Sequence, residues 1–297
     1  MNDKFPPRII VKFQDKYTIP YGGDENIGAY ISEKNILPWQ QILKKFPGVT
    51  ITGSFPSVSA EMFRNSLRRA QELNPKYQPP NFRSYCTIDC SYDNKEEQLL
   101  SILAENKSVE IAYFESEHVQ PPAITGNNIL TNQQGYLDPA PTGIDARFAW
   151  TQNGGLGENV KFIDIEQGWH LNHDDLAAAG VALLWGREDP FHRQHGCYVL
   201  GVILMQDNSI GGVGIAPNVK ANVVSQISQT GHHTIHNAIM QAIAVLNKGD
   251  VLLLETQVKD RSTGDQLWPA EIKPIIFRSI ELAVSCGIGG GVDSKAA

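Results

Sequence analysis

Val251–Glu255 reads VLLLE, four consecutive apolar residues closed by an acid. A strand that is apolar on both faces must be covered on both, which is the situation of a central strand in a parallel sheet. Segments of helical spacing flank it. Thr234–Asn247 places Ile235, Ala238, Ile239, Ala242, Ile243 and Leu246 on one side, and Glu271–Ser285 is a further helix. Asn159–Ile165 and Lys220–Ser225 are two more strand candidates, with the helix His195–Met205 between them. Such alternation predicts an α/β fold in which a parallel sheet carries helices on both faces.

The first 122 residues read differently. Strand candidates Arg8–Phe13, Val49–Phe55, Arg83–Cys90 and Val109–Glu115 alternate with helix candidates Trp39–Phe46, Ala60–Leu73 and Lys95–Asn106. Ser59 stands where an N-cap is needed, and Pro47-Gly48 stops the helix before it. The spacing predicts a smaller α/β module with an open-faced sheet. Residues 123–142, which include Gly126-Asn127-Asn128 and Pro139-Ala140-Pro141, hold no periodic pattern and read as a linker. The predicted division is therefore 1–122, a linker over 123–142, and 143–297.

Charge and hydropathy narrow the function. Thirty-two acidic residues against 25 basic ones give a net charge of −7, which offers no electrostatic footprint for nucleic acid. No run of 18 apolar residues is present, so no membrane span is expected. Met1–Pro7 lacks the basic start and apolar core of a secretory signal, and a cytoplasmic location is expected. Cys86, Cys90, Cys197 and Cys286 follow neither a zinc nor a dense disulfide spacing and read as free thiols.

Two residues carry the strongest chemical signal. Asp164 lies at the end of an apolar strand in VKFIDIEQGWHLNHDDL, and His195 opens a helix in HGCYVLGVILMQDNSIGGVGIAP. A carboxylate at the C-terminal edge of a parallel sheet sits where ligands bind in such folds. There it can accept a hydrogen bond from an imidazole and stabilise the protonated ring. Gly196 permits close backbone approach behind the histidine.

From about residue 143 to residue 288 the chain resembles the subtilisin-like serine proteases, the subtilases of family S8. The resemblance rests on Asp164, Gly168 and His173-Asp174-Asp175-Leu176, then His195-Gly196, Val199-Leu200-Gly201, Asn208-Ser209-Ile210-Gly211 and Gly214-Ile215-Ala216-Pro217. It implies a serine endopeptidase with Asp164 as orienting acid and His195 as general base, acting on a peptide or protein substrate without a cofactor. It also implies that residues 143–297 are the N-terminal portion of a catalytic domain, an incomplete subtilisin-like parallel sheet. The preceding α/β, ferredoxin-like module then resembles a prodomain that packs on the protease. A permanent, unprocessed N-terminal domain is the other reading of that module.

Departures from the family pattern qualify the expectation. Cys197 and Tyr198 follow His195-Gly196 where the family carries threonine. Glu255, Thr256 and Gln257 replace a Ser-Leu-Gly run on the substrate-binding strand. Glu255 and Thr256 are the candidate substrate contacts; the acid of Glu255 fits a basic substrate residue or an ordinary paired carboxylate. Gly289-Gly290-Gly291 are poor material for the core strand that should follow, since they bury no side chain. No A-A-G-N or G-T-S-x-A segment occurs in these 297 residues, and none of Ser279, Ser285 and Ser294 stands in a glycine-flanked turn before a helix. No nucleophile is therefore assigned. Cys197 reads as core packing, and His192, His232, His233 and His236, which lack an H-E-x-x-H arrangement, read as solvated or capping rather than as a metal site. The chain alone is expected to be inactive. The alternative is a pseudoprotease that binds peptides or proteins without cutting them.

Overall fold

A computed structural model describes residues 7–20, 26–90, 95–115, 131–208, 210–259 and 266–292. Linker positions 123–130 and the serine candidate Ser294 lie outside the described residues. The chain divides into two compact units, Met1–Glu117 with Lys259–Gln266 and His118–Val258 with Leu267–Ala297.

In the first unit β1 (Arg8–Phe13) is followed by α1 (Ile27–Glu33), α2 (Trp39–Lys45), β2 (Thr50–Gly53) and α3 (Ala60–Leu73). Then come β3 (Tyr85–Asp89), α4 (Glu96–Ala104) and β4 (Val109–Phe114). The strands pair antiparallel in the order β2-β3-β1-β4. Ile9, Val11 and Phe13 of β1 share one core with Cys86 and Ile88 of β3 and with Ile31, Ile42, Leu99 and Leu103 from the helices. Ser59 caps α3, its side chain accepting from Met62 N at 3.1 Å.

The other face of this sheet is not bare. Residues of opposite parity, Ile10, Lys12, Tyr85 and Thr87, are also buried. Phe63 of α3 meets Phe55 edge-on at 5.4 Å, and Phe55 meets Tyr85 at 6.4 Å. Helix α3, between β2 and β3, contributes to an aromatic cover, so the sheet is not open-faced as its strand pattern predicts.

The second unit contains α5 (Ala146–Ala149), β5 (Lys161–Glu166), β6 (Leu183–Trp185), α6 (Arg193–Leu204), β7 (Lys220–Ser225) and α7 (Ile235–Val245). It continues with β8 (Val251–Leu254), a two-stranded ribbon of β9 (Gln257–Lys259) and β10 (Leu267–Pro269), α8 (Pro274–Ser285) and β11 (Gly289–Val292). Five strands form a parallel sheet in the order β11-β8-β5-β7-β6. The α/β architecture read from the sequence is the one found.

Strand parity divides the side chains of this sheet. Phe162, Ala221, Val223, Val251 and Leu253 pack with Leu200 and Leu204 of α6. Ile163 and Ile165 point the other way, where α7 runs against β5 and β7. Val251–Leu254 lies between β5 and β11, an interior position as its apolar run predicts.

One expectation is overturned. Gly289–Val292 does form a strand, parallel to β8 with Gly289 opposite Val251 and Val292 opposite Leu254. Backbone pairing needs no side chain, and β11 occupies an edge of this sheet, where one set of ladder bonds suffices. Among the described residues no helix is long and apolar enough to cross a membrane.

Candidate active site

The C-terminal ends of β5, β7 and β8 are tied together by one side chain. Gln226, directly after β7, donates its backbone N–H to Glu166 O at 2.8 Å. Its side-chain Nε2 reaches Ile165 O at 3.2 Å and Glu255 O at 3.0 Å. Thr256 donates its hydroxyl to Gln226 Oε1 at 3.2 Å. Both side chains are buried, so Thr256, a predicted substrate contact, turns its hydroxyl inward.

His195 is placed by α6 above this edge. Its Nδ1 hydrogen-bonds Glu166 Oε1, the last residue of β5, in a short contact. Glu166 is completely buried, while the His195 side chain is 15% exposed. The acid that reaches the histidine is thus Glu166 and not the predicted Asp164. Asp164 and Glu166 share a face by parity, but Asp164 lies two residues, ~7 Å, further back along the strand. Its Oδ2 accepts instead from Trp169 Nε1 at 2.7 Å.

The fit of α6 over the strand end depends on Gly196. A Cβ there would lie 2.3 Å from Gly168 O and 2.6 Å from Trp169 Cδ1. This contact is the close approach that His195-Gly196 predicts. It seats the loop carrying Trp169 against the helix carrying His195.

Glu255 follows β8 and Glu166 ends β5, each one residue beyond the Ile165–Leu254 register pair. One carboxylate oxygen from each of Glu166 and Glu255 and one ring nitrogen of His195 lie within 4.8 Å of one another. Burial, then the neighbouring Glu255 carboxylate, pushes Glu166 up to about 9. Burial also raises Asp164 well above the usual carboxylate range, with Glu166 and Glu255 adding to it against the Trp169 hydrogen bond. Acids held in one poorly solvated site cannot all ionise together.

The same trio offers a nitrogen and two oxygens to a divalent cation. His195 and Glu166 are already joined directly, so a cation would have to displace the proton between them. The remaining histidines have other surroundings. His192 pairs with Asp189 at 2.9 Å, and His236 is buried beside Asn237 at 3.2 Å. Cys197 packs against the α6 core, and burial holds its thiol above the ordinary value. Ser279 is buried and bonded to Ile275 O at 2.9 Å, and Ser285 is also buried.

No family model matches the chain. Subtilisin E of Bacillus subtilis is 28% identical over 193 residues, covering 62% of this chain and 45% of that protein. A subtilisin of Bacillus pumilus is 30% identical over 144 residues, covering 46% and 49%. Over these stretches the chain is similar to subtilisin-like serine proteases. It spans about half the length of the curated subtilisins it matches. Among solved structures, fervidolysin from Fervidobacterium pennivorans, a keratinolytic enzyme related to subtilisin, has a TM-score of 0.47 at 12% identity. That match covers 98% of this chain and 40% of fervidolysin. A psychrophilic subtilisin-like protease from Pseudoalteromonas sp. AS-11 has a TM-score of 0.32 at 20% identity, covering 40% and 30%.

Sequence reasoning missed Glu166 and Gln226. The signal for Glu166 was present in strand parity, since the acid nearest the C-terminal edge of the sheet is the one a helix-borne histidine reaches. Gln226 carried no comparable signal, because its role comes from three strand ends meeting at one place.

Proposed function

We propose that Glu166 and His195 are the orienting acid and general base of a subtilisin-like serine endopeptidase. The observation that carries this is the bond from His195 Nδ1 to the buried Glu166 carboxyl. With Nδ1 held by the acid, Nε2 is the ring nitrogen that would take a proton from a serine hydroxyl as the hydroxyl attacks a peptide carbonyl. Glu166 fixes the tautomer and stabilises the imidazolium that forms, the work the sequence assigns to Asp164. The nucleophile is not supplied by residues 1–297, so these residues alone hydrolyse nothing. In this reading the first unit, with its four-stranded antiparallel sheet, is the prodomain.

A second reading, a pseudoprotease that binds peptides or proteins, is favoured by Cys197 in place of the family's threonine. A fluorophosphonate probe separates the two when applied in parallel to the native gene product and to the 297-residue chain. Labelling of a longer native product, lost on His195→Ala and absent from the 297-residue chain, supports the endopeptidase. A native product that neither labels nor cleaves peptides replaces it with the pseudoprotease.

A further inference from the structure

Gln226 pins the backbones that carry two of the site's acids. Its N–H holds Glu166 O at 2.8 Å and its side-chain Nε2 holds Glu255 O at 3.0 Å. Carboxylate oxygens of both residues and a ring nitrogen of His195 lie within 4.8 Å of one another. The backbone N–H of Gln167 donates to Glu166 Oε2 at 3.3 Å, which leaves Oε1 as the oxygen turned to the histidine. Asp164 lies on the same face of β5 as Glu166. It is fully buried, and its Oδ1 has no hydrogen-bond partner among the described residues. Three acids thus gather around one imidazole, and a buried carboxyl oxygen beneath them still lacks a donor.

We propose that Glu166, His195 and Glu255 form a zinc site whose occupation switches the base off. The site stands on these three side chains; its effect on the base rests on the reading of His195 given above. One imidazole nitrogen and two carboxylate oxygens suit zinc, as three protein ligands with a fourth position for water. Ligand atoms bonded to zinc at ~2.0–2.2 Å stand ~3.3–3.5 Å apart, so atoms already within 4.8 Å need shift by only ~1 Å. His195 and Glu255 are partly exposed and can make that movement, while buried Glu166 stays in place. Zinc exchanges with contacts these side chains already make, first of all the His195–Glu166 hydrogen bond.

The consequence follows from the ring's one proton. In the metal-free chain it sits on Nδ1, directed at Glu166, and Nε2 is the acceptor. Zinc takes the Nδ1 lone pair and the Glu166 oxygen, and the proton passes through solvent to Nε2. Nε2 is then a donor and accepts nothing from a serine hydroxyl.

The experiment is a calorimetric titration of the metal-free 297-residue chain with Zn2+ alone, paired with 15N NMR of the histidine rings and the far-downfield proton signal of His195 Nδ1–H. One zinc per chain should bind. Binding should weaken ~10-fold or more in Glu255→Gln and in His195→Ala, at least what loss of a supporting contact costs a metal site. Saturation should erase the Nδ1–H signal and move the His195 ring nitrogens to the pattern of a metal-bound Nδ1 with a protonated Nε2. No zinc binding, or binding equal in the wild type and both variants, overturns the site. Should a variant not fold, the wild type decides: an Nδ1–H signal that survives saturation places the zinc elsewhere and overturns the site as well. The base reading has its own arm. An Nδ1–H signal absent from the metal-free chain overturns that reading, while zinc binding that is lost in Glu255→Gln keeps the site.

Discussion

Trp169 Nε1 donates to Asp164 Oδ2 at 2.7 Å, and this bond holds the Asp164 carboxyl behind the histidine site rather than in it. The indole is 1% exposed and Asp164 is fully buried, so neither group has water as a substitute partner. Trp169→Phe should therefore destabilise the chain by ~1–3 kcal/mol, the cost of stranding a buried polar group. Asp164→Asn keeps an acceptor for the indole and should leave the His195 Nδ1–H signal in place, whereas Glu166→Gln should remove it. Urea unfolding and proton NMR check the two halves. Loss of the signal in Asp164→Asn would return the orienting role to Asp164.

Gly196→Ala tests whether α6 is seated by contact with the loop after β5. The added methyl would meet Gly168 O, a backbone atom that cannot rotate away, at 2.3 Å. Overpacking of this kind costs ~1–3 kcal/mol. The lower urea midpoint should come with a change in the His195 resonances, because the helix must lift from Trp169. A fall in stability that leaves those resonances untouched would separate the helix seat from the histidine geometry.

The sequence was most legible where burial alone decides structure. Val251–Leu254 is apolar at every position and lies inside the sheet, with Leu252 and Leu254 buried, and the helix before it follows from its spacing. Ser59 was readable as a cap because few side chains satisfy a helix N-terminus. Reading failed where the answer depends on distance along an element already assigned. Asp164 and Glu166 have the same chemistry and the same face, and only the position of α6 over the strand end selects between them. Gly289–Val292 failed for a related reason: composition measures what a strand can bury, while an edge pairing is decided by the neighbouring backbone.

Glu115 should give the first unit a distinct pH dependence. Burial, with Asp89 alongside, outweighs the Arg8 guanidinium at 2.8 Å and lifts the Glu115 carboxyl to about 7. A carboxyl raised in the folded state binds its proton more tightly folded than unfolded, so its contribution is full below the unfolded value, near 4.5. That contribution is lost as pH rises towards 7 and is absent above it. The loss across this window should be roughly 3 kcal/mol. Unfolding midpoints measured from pH 4 to 8 should fall in the wild type and flatten in Glu115→Gln, whose neutral amide has no proton to lose. A wild-type profile that rises through this window would mean that Arg8 dominates and keeps Glu115 ionised.

The glycines of β11 set up the last test. Neither Gly289 nor Gly290 has a positive φ. A Cβ at Gly290 would come no nearer than 3.7 Å to Leu252 O, and one at Gly289 no nearer than 3.5 Å to Asp250 O. No steric reason therefore requires glycine at either position, and both lose more backbone freedom on folding than a residue with a side chain. Gly290→Ala should raise stability by ~0.5–1 kcal/mol, mainly by restricting the unfolded chain. Hydrogen exchange at the backbone amides of Gly289–Val292 should slow in step, since the strand opens less often when its unpaired state is less favourable. Destabilisation by Gly290→Ala, with faster exchange in β8 as well, would mean that the segment does not pair with Val251–Leu254 and that its glycines answer to some other backbone demand.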